Sequence, residues 1–309
     1  MIGNALIQII ILVLGFMLLV KGADMFVDGA ASVAAKFGIP QLIIGLTIVA
    51  LGTSAPEAAV SISSALAGSA DITIGNILGS NILNILIILG LSAAITTLPV
   101  KRNTIYIEIP LVAVSTVILM FLGRDGVISI LDAALIVLML IGFLAYTIIG
   151  AKKSNEKPEE IKILPLPKSL LFVVLGLAAI ILGSQFTVNS ASILAEMIGL
   201  SKRFIGLTVV ALGTSLPELF TSVTAARKGN ADLAIGNIVG SNLLNILFIV
   251  GISGLIINVP FDKAFMFDAT VSLLAAVLLF ALCFKNNKLT RISGYIMLAS
   301  YVAYFLYIV

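Results

Sequence analysis

Apolar residues run along this chain in ten long stretches separated by short polar connections, at about 4–20, 40–67, 72–98, 105–122, 128–150, 168–186, 204–226, 233–257, 264–284 and 289–309. Each is near the ~20 residues an α-helix needs to cross a bilayer. The pattern predicts an all-α polytopic membrane protein with ten transmembrane helices. The second, third, seventh and eighth stretches carry Gly, Pro, Ser, Thr, Asn and Glu inside them. The first has no basic residue before Lys21 and has an equivalent in mid-chain, so it is expected to be a mature span and not a signal peptide. The longest polar insertion, 151–167, is expected to link two halves, 1–150 and 168–309.

Composition agrees. Of 309 residues, 60% are hydrophobic and 11% charged, where a soluble domain carries about 25% charged residues. The absence of His excludes a Ser-His or Cys-His nucleophile pair and any His-bound metal. The lone Cys283 excludes an intrachain disulfide. The order of spans places fourteen Lys and Arg residues on one face, from Lys21 to Arg291, and only Arg124, Lys202, Arg203 and Lys263 on the other. The positive-inside rule then puts the 151–167 loop in the cytoplasm and both termini outside. A net charge of +3 distributed this way gives no reason to expect nucleic acid as a partner.

The strongest signal is an internal repeat at a shift of 161 residues. IGLTIVALGTSAPE (44–57) meets IGLTVVALGTSLPE (205–218) with 12 of 14 positions identical. DITIGNILGSNILN (71–84) meets DLAIGNIVGSNLLN (232–245) with 10 of 14 identical. Two halves of five spans each must enter the membrane from opposite sides. The expected architecture is therefore a pair of inverted five-helix repeats, which in secondary transporters places a binding site near the midplane.

Within GTSAPE, Pro56 lacks an N–H, so the Gly52 carbonyl loses its helical partner. The segment is expected to be two half-helices joined by a short unwound stretch, lined by the Thr53 and Ser54 hydroxyls and exposed carbonyls such as that of Ala50. Gly213, Thr214, Ser215, Pro217 and Glu218 repeat the device. Broken helices at membrane depth are tolerated only against protein or a water-filled cavity. A carboxylate at a helix centre in the bilayer costs about 2.5–3.5 kcal/mol on insertion scales, and Glu57 and Glu218 incur it at symmetric positions. No Lys or Arg lies near the middle of any span to pair with them, so protons or metal cations must supply the positive charge. The competing reading is a Ser-x-x-Glu capping box at Ser54–Glu57 and Ser215–Glu218, but Gln would serve a cap equally well.

Asn76, Ser80 and Asn84 recur every four residues and share one helix face, with Asn81 beside it; Asn237, Ser241, Asn245 and Asn242 are their counterparts. Ser80, Asn84, Ser241 and Asn245 are expected to coordinate a cation, while Gly75, Gly79, Gly236 and Gly240 are expected to permit close packing. The donor set is oxygen only, which suits Ca2+, Mg2+ or Na+ and not Zn2+ or Cu; Mg2+ demands strict octahedral geometry, whereas Ca2+ accepts irregular sites of six to eight oxygens. Two Glu would neutralise one Ca2+ or two Na+. Glu108 and Asp132 have no repeat mates and are expected to be terminal or packing residues. Gly15, Gly22, Gly176 and Gly183 are expected to pack the first and sixth spans closely.

These paired motifs, GTSAPE with GNILGSNILN and GTSLPE with GNIVGSNLLN, resemble the two α-repeats of the cation/calcium exchanger superfamily, in particular prokaryotic sodium/calcium exchangers. The resemblance implies antiport of Ca2+ against Na+ by alternating access across the plasma membrane, with no cofactor and no obligate protein partner. It implies Glu57 and Glu218 as shared ligands, with Thr53, Ser54, Ser80, Asn84 and the Ala50 carbonyl from one repeat. Thr214, Ser215, Ser241, Asn245 and the Ala211 carbonyl would serve from the other, and spans 1 and 6 would slide across the rest. The large regulatory loop of animal relatives has no room in 151–167, and Asn245 stands where potassium-dependent relatives carry Asp. A Ca2+/H+ antiporter would use the same acids. A channel fits inverted broken helices less well, and no G-x-x-x-x-G-K-[ST] motif suggests an ATP-driven pump.

Overall fold

The computed structural model describes residues 2–68, 70, 72–153, 164–197 and 211–308. The chain is built almost wholly of helices. The first half contains α1 (Ile2–Phe37), α2 (Gln41–Thr53), α3 (Ala55–Leu66), α4 (Thr73–Ile95), α5 (Thr104–Asp125) and α6 (Ile130–Lys153). The second contains α7 (Leu166–Met197), α8 (Ala211–Thr214), α9 (Leu216–Arg227), α10 (Ala231–Ile256), α11 (Lys263–Phe284) and α12 (Arg291–Ile308). Among the described residues seven helices are long and apolar enough to cross a membrane, and α2 with α3, bent by 53°, forms a further bent pair. The expected seventh span, 204–226, lies partly outside the described residues.

Two expected boundaries move. The first and sixth spans were expected to end at 20 and 186, yet α1 and α7 continue to Phe37 and Met197. Hydropathy marks only where apolarity falls, and nothing from Lys21 to Phe37 breaks a helix. The stop comes at Gly38, whose φ of 63° only a residue without Cβ adopts freely. There the Ile39 N–H reaches back to the Ala34 carbonyl at 2.9 Å, closing the helix end. At 36 residues α1 is about 54 Å long, well beyond a ~30 Å hydrocarbon core.

α1 and α7 lie against each other in antiparallel register, with Gly15 facing Gly183, Gly22 facing Gly176 and Gly29 facing Ser169. A Cβ on Gly15 would stand 2.5 Å from Thr187 Oγ1, so the glycines serve close packing as expected. The backbones of α2 and α10 touch at Gly45 and Gly236.

Four two-residue strands close the ends: β1 (Leu98–Pro99), β2 (Val127–Ile128), β3 (Val259–Pro260) and β4 (Lys288–Leu289). Leu98 pairs with Leu289, and Ile128 with Val259. Adding 161 to 98 and 128 gives 259 and 289, so the two ladders exchange under the repeat shift. Contacts that swap in this way are what a two-fold axis between the halves produces. α4 and α10 occupy the centre, their apolar residues from Ile74 to Leu89 and from Leu233 to Val250 buried except for the half-buried pair Ile87 and Phe248. Leu6, Leu138, Val174 and Leu306 on the outer helices remain exposed, as a lipid-facing belt requires.

Candidate cation site

The break between α2 and α3 is smaller than an unwound stretch. Only Ser54, at φ −80° and ψ 9°, departs from helix, and the Ala58 N–H still finds the Ser54 carbonyl at 3.0 Å. Pro56 removes a single N–H, so one residue absorbs the bend. Ser215 does the same before α9, with Leu219 N–H to Ser215 carbonyl at 3.0 Å. The Ala50 carbonyl keeps its helical bond from Ser54 N–H at 2.9 Å and also accepts a longer contact from Thr53 Oγ1 at 3.4 Å, so a cation there would have to displace the hydroxyl. The surroundings of Ala211 lie outside the described residues.

The capping-box alternative is not realised. Neither Ser54 nor Ser215 makes a side-chain cap. Each hydroxyl instead crosses to the other half: Ser54 Oγ donates to Glu218 Oε1 at 2.8 Å, and Ser215 Oγ to Glu57 Oε1 at 3.4 Å. Ser80 and Ser241 add longer contacts of 3.5 Å to Glu57 Oε1 and Glu218 Oε1. The Thr214 hydroxyl also bonds the Glu57 carboxylate, and Thr53 stands beside the Glu218 carboxylate with its hydroxyl donating at 3.0 Å to Asn237 Oδ1. The structure thus brings Glu57, Glu218, Thr53, Thr214, Ser54, Ser215, Ser80 and Ser241 into one buried cluster.

The Ser54, Ser80, Ser215 and Ser241 hydroxyls all meet these carboxylates at Oε1. Glu57 Oε2 and Glu218 Oε2 are buried with no hydrogen-bond partner, and so are Asn84 Oδ1 and Asn245 Oδ1. The amide orientations follow from the network. Asn81 Nδ2 donates to the Asn242 carbonyl at 3.2 Å, and Asn242 Nδ2 to the Asn81 carbonyl at 3.1 Å. Their side-chain oxygens accept from Asn245 Nδ2 at 3.0 Å and Asn84 Nδ2 at 2.9 Å. The nitrogens of Asn84 and Asn245 thereby each donate one hydrogen across the repeat, which fixes the amide orientation and leaves their oxygens without a partner. Asn84 and Asn245 also begin π-helical turns, Asn84–Leu89 and Asn245–Val250, a local form frequent at functional sites. The result is four unpartnered acceptor oxygens in two repeat-related pairs, with no basic residue between 37 and 100 or between 229 and 262. A buried acceptor without a partner is costly, and a desolvated cation bound by oxygens removes that cost for all four. Among the described residues no three of His, Cys, Asp and Glu gather, so such a site would combine two carboxylates with hydroxyl and amide oxygens.

Several participants did not stand out as ligands in the sequence. Asn81 and Asn242 orient the amides of Asn84 and Asn245, and their visible signal was only a position beside the polar stripe. Asn237 accepts from Thr53 Oγ1 at 3.0 Å and donates to Ser222 Oγ at 2.9 Å, while Asn76 donates to Ser61 Oγ at 3.0 Å. Ser184 Oγ on α7 donates at 2.7 Å to the Gly213 carbonyl, the one that Pro217 leaves without its helical N–H. Its repeat mate is Ala23, which has no hydroxyl. Outside the cluster, Asp132 caps α6 by accepting from Ser129 N–H at 2.9 Å, the terminal role expected of it. Glu108 is buried and accepts from the Tyr146 hydroxyl.

A membrane-embedded helical protein with a symmetric, oxygen-lined, anionic cluster belongs to the class of cation carriers. The sodium/calcium exchanger protein family model matches residues 7–149 and 168–309, and the chain belongs to that family. It is 35% identical to the inner membrane protein YrbG of Escherichia coli (strain K12), over 90% of this chain and 89% of that one. It is 30% identical to the sodium/calcium exchanger MaX1 of Methanosarcina acetivorans, over 96% and 97%. Among solved structures it matches the sodium–calcium exchanger NCX_Mj soaked with Na+ and Sr2+, with a TM-score of 0.86, 31% identity and coverage of 98% and 99%. The chain is therefore a multi-pass cation/Ca2+ antiporter.

Proposed function

We propose that the protein exchanges Ca2+ for Na+ across the cell membrane by alternating access, with Glu57 and Glu218 as the shared ligands of a site near the midplane. In this reading the ten spans form two inverted five-helix repeats, both termini lie outside, and the 151–167 loop is cytoplasmic. The observation that carries it is the set of four buried, unpartnered oxygens of Glu57, Glu218, Asn84 and Asn245. Two carboxylates supply −2, which one Ca2+ or two Na+ neutralise, so a single cluster can exchange the two ions. Neighbouring Thr53, Thr214, Ser54, Ser215, Ser80 and Ser241 hydroxyls and the Ala50 carbonyl offer further oxygens, enough for the six to eight that Ca2+ accepts in irregular geometry. The matching Ala211 carbonyl would complete the second half.

The test is radiotracer Ca2+ uptake into proteoliposomes loaded with Na+, against vesicles loaded with a large organic cation. Uptake only with internal Na+, abolished by a Na+ ionophore, is the expected result. Uptake indifferent to Na+ but driven by a pH gradient would replace Na+ with H+ as the counter-ion at the same glutamates.

A further inference from the structure

Some contacts have no counterpart under the 161 shift, and one set of these joins α9 to α1. Lys228, just past the end of α9, reaches α1 with its ammonium group. Its Nζ lies 2.8 Å from Asp28 Oδ1 and 3.3 Å from Asp24 Oδ1, and it donates to the Asp24 carbonyl at 3.0 Å. The repeat mates of these three residues are Ala67, Asn189 and Gln185. None carries a charge, so the mirrored ion pairs cannot form.

The structure around the mates differs accordingly. α1 packs along α9, whereas α7 and α3 flank a cavity of about 390 Å³. Its lining includes Gln185 and Asn189 on one side and Pro56, Ala59 and Val60 on the other. Thr214, which bonds the Glu57 carboxylate, also borders it. The side bridged by Lys228 is packed, and the side where the charges are missing holds a cavity that reaches Thr214 at the edge of the cation cluster. The fourteen-to-four distribution of basic residues puts Lys228 at the cytoplasmic end and the cavity at the outer end.

We propose that Lys228 is a positioning residue for exchange: its pairs with Asp24 and Asp28 latch α1 onto α9 and favour the state closed to the cytoplasm. The proposal rests on the alternating-access reading above. The latch is partly hydrated, with the Lys228 side chain 29% and that of Asp28 50% exposed. It is therefore weak enough to open in every cycle and strong enough to set the ratio of the two states.

The experiment measures the population of the cytoplasm-open state. Thr221 is fully buried under α1, and its repeat mate Val60 lines the open outer cavity. In a Cys283→Ser background, Thr221→Cys is labelled with a membrane-impermeant thiol reagent from the cytoplasmic side. Lys228→Gln is expected to speed this labelling by about two- to five-fold, the range over which an exposed ion pair moves an equilibrium; Lys228→Arg should leave it unchanged. Asp28→Asn, which removes the partner instead, should act like Lys228→Gln and serves if that variant does not fold. Equal rates with Lys228→Gln and native Lys228, or equal acceleration by Lys228→Arg, would overturn the latch while leaving alternating access intact. If Thr221→Cys is never labelled under any Na+ or Ca2+ condition, while Asn189→Cys is labelled from outside, alternating access fails and the latch with it.

Discussion

Asn81 and Asn242, exactly one repeat length apart, donate their side-chain amides to each other's main-chain carbonyls, at 3.2 and 3.1 Å. Each then uses its side-chain oxygen to hold the amide of the other half's partner, Asn245 or Asn84. The crossing point of α4 and α10 is thus a closed ring of four asparagines whose only free acceptors are the oxygens of Asn84 and Asn245. Replacing either central residue leaves a buried carbonyl without its donor and lets one outer amide turn.

Asn81→Ala and Asn242→Ala should each lower stability by about 1–3 kcal/mol, the cost of buried polar groups left unsatisfied. The double variant should cost clearly less than the sum, because both singles break the same ring. Thermal unfolding in detergent, run as a double-mutant cycle, measures this. Strict additivity would mean that the ring does not act as a unit.

Glu57→Gln and Glu218→Gln each replace a free carboxylate oxygen with an amide in a site whose other acidic group is the second glutamate. Removing one partner from a buried charge pair costs about 2–5 kcal/mol, so Ca2+ uptake in proteoliposomes should fall on the order of a hundred-fold or more. The side chains keep their shape, and the hydroxyls that donate to Oε1 can still donate to an amide oxygen, so both variants should remain folded by size-exclusion chromatography. Near-normal uptake in either would remove that glutamate from the site.

The sequence made the helices and this cluster legible for different reasons. Long apolar runs announce lipid-crossing helices directly, and the near-identity of 44–57 with 205–218 announces an internal repeat without structure. Glu57 and Glu218 stood out because nothing nearby could pair with them. What stayed hidden depends on space. Ser54 looked like a helix cap, yet its hydroxyl reaches Glu218, a partner 164 residues away. Asn81 looked peripheral because the helix to which it bonds comes from the other half. The ends of α1 and α7 were misjudged because hydropathy falls where the helices leave lipid, while helix propensity continues to Gly38 in one and to Met197 in the other.

Ser184→Ala tests the support of the second bend. Pro217 leaves the Gly213 carbonyl without its helical donor, and the Ser184 hydroxyl replaces that donor at 2.7 Å. Its loss should destabilise the protein by about 1–3 kcal/mol, read as a lower thermal midpoint. Ser184→Thr, which keeps the hydroxyl, should recover part of the loss. The first half carries Ala23 at the corresponding position, so Ala23→Gly should show no comparable loss of a hydrogen bond. A Ser184→Ala variant as stable as the parent would mean the Gly213 carbonyl finds its partner elsewhere.

The glycine seam between α1 and α7 gives the last prediction. A Cβ at Gly22 would stand 2.9 Å from the Gly176 carbonyl and from Ile180 N, and one at Gly176 would stand 2.6 Å from Phe26 N. Backbone cannot retreat from a methyl group as a side-chain tip can, so Gly22→Ala and Gly176→Ala must push the two helices apart. Overpacking of this kind costs about 1–3 kcal/mol, and each variant should unfold at a lower temperature in detergent. Gly142→Ala is the control, because no heavy atom among the described residues lies within 4 Å of the added methyl group and Ala is the better helix former by about 1 kcal/mol. Its midpoint should hold or rise. Equal effects at all three positions would show that the loss comes from helix propensity or detergent behaviour and that α1 and α7 are not held in contact at this seam.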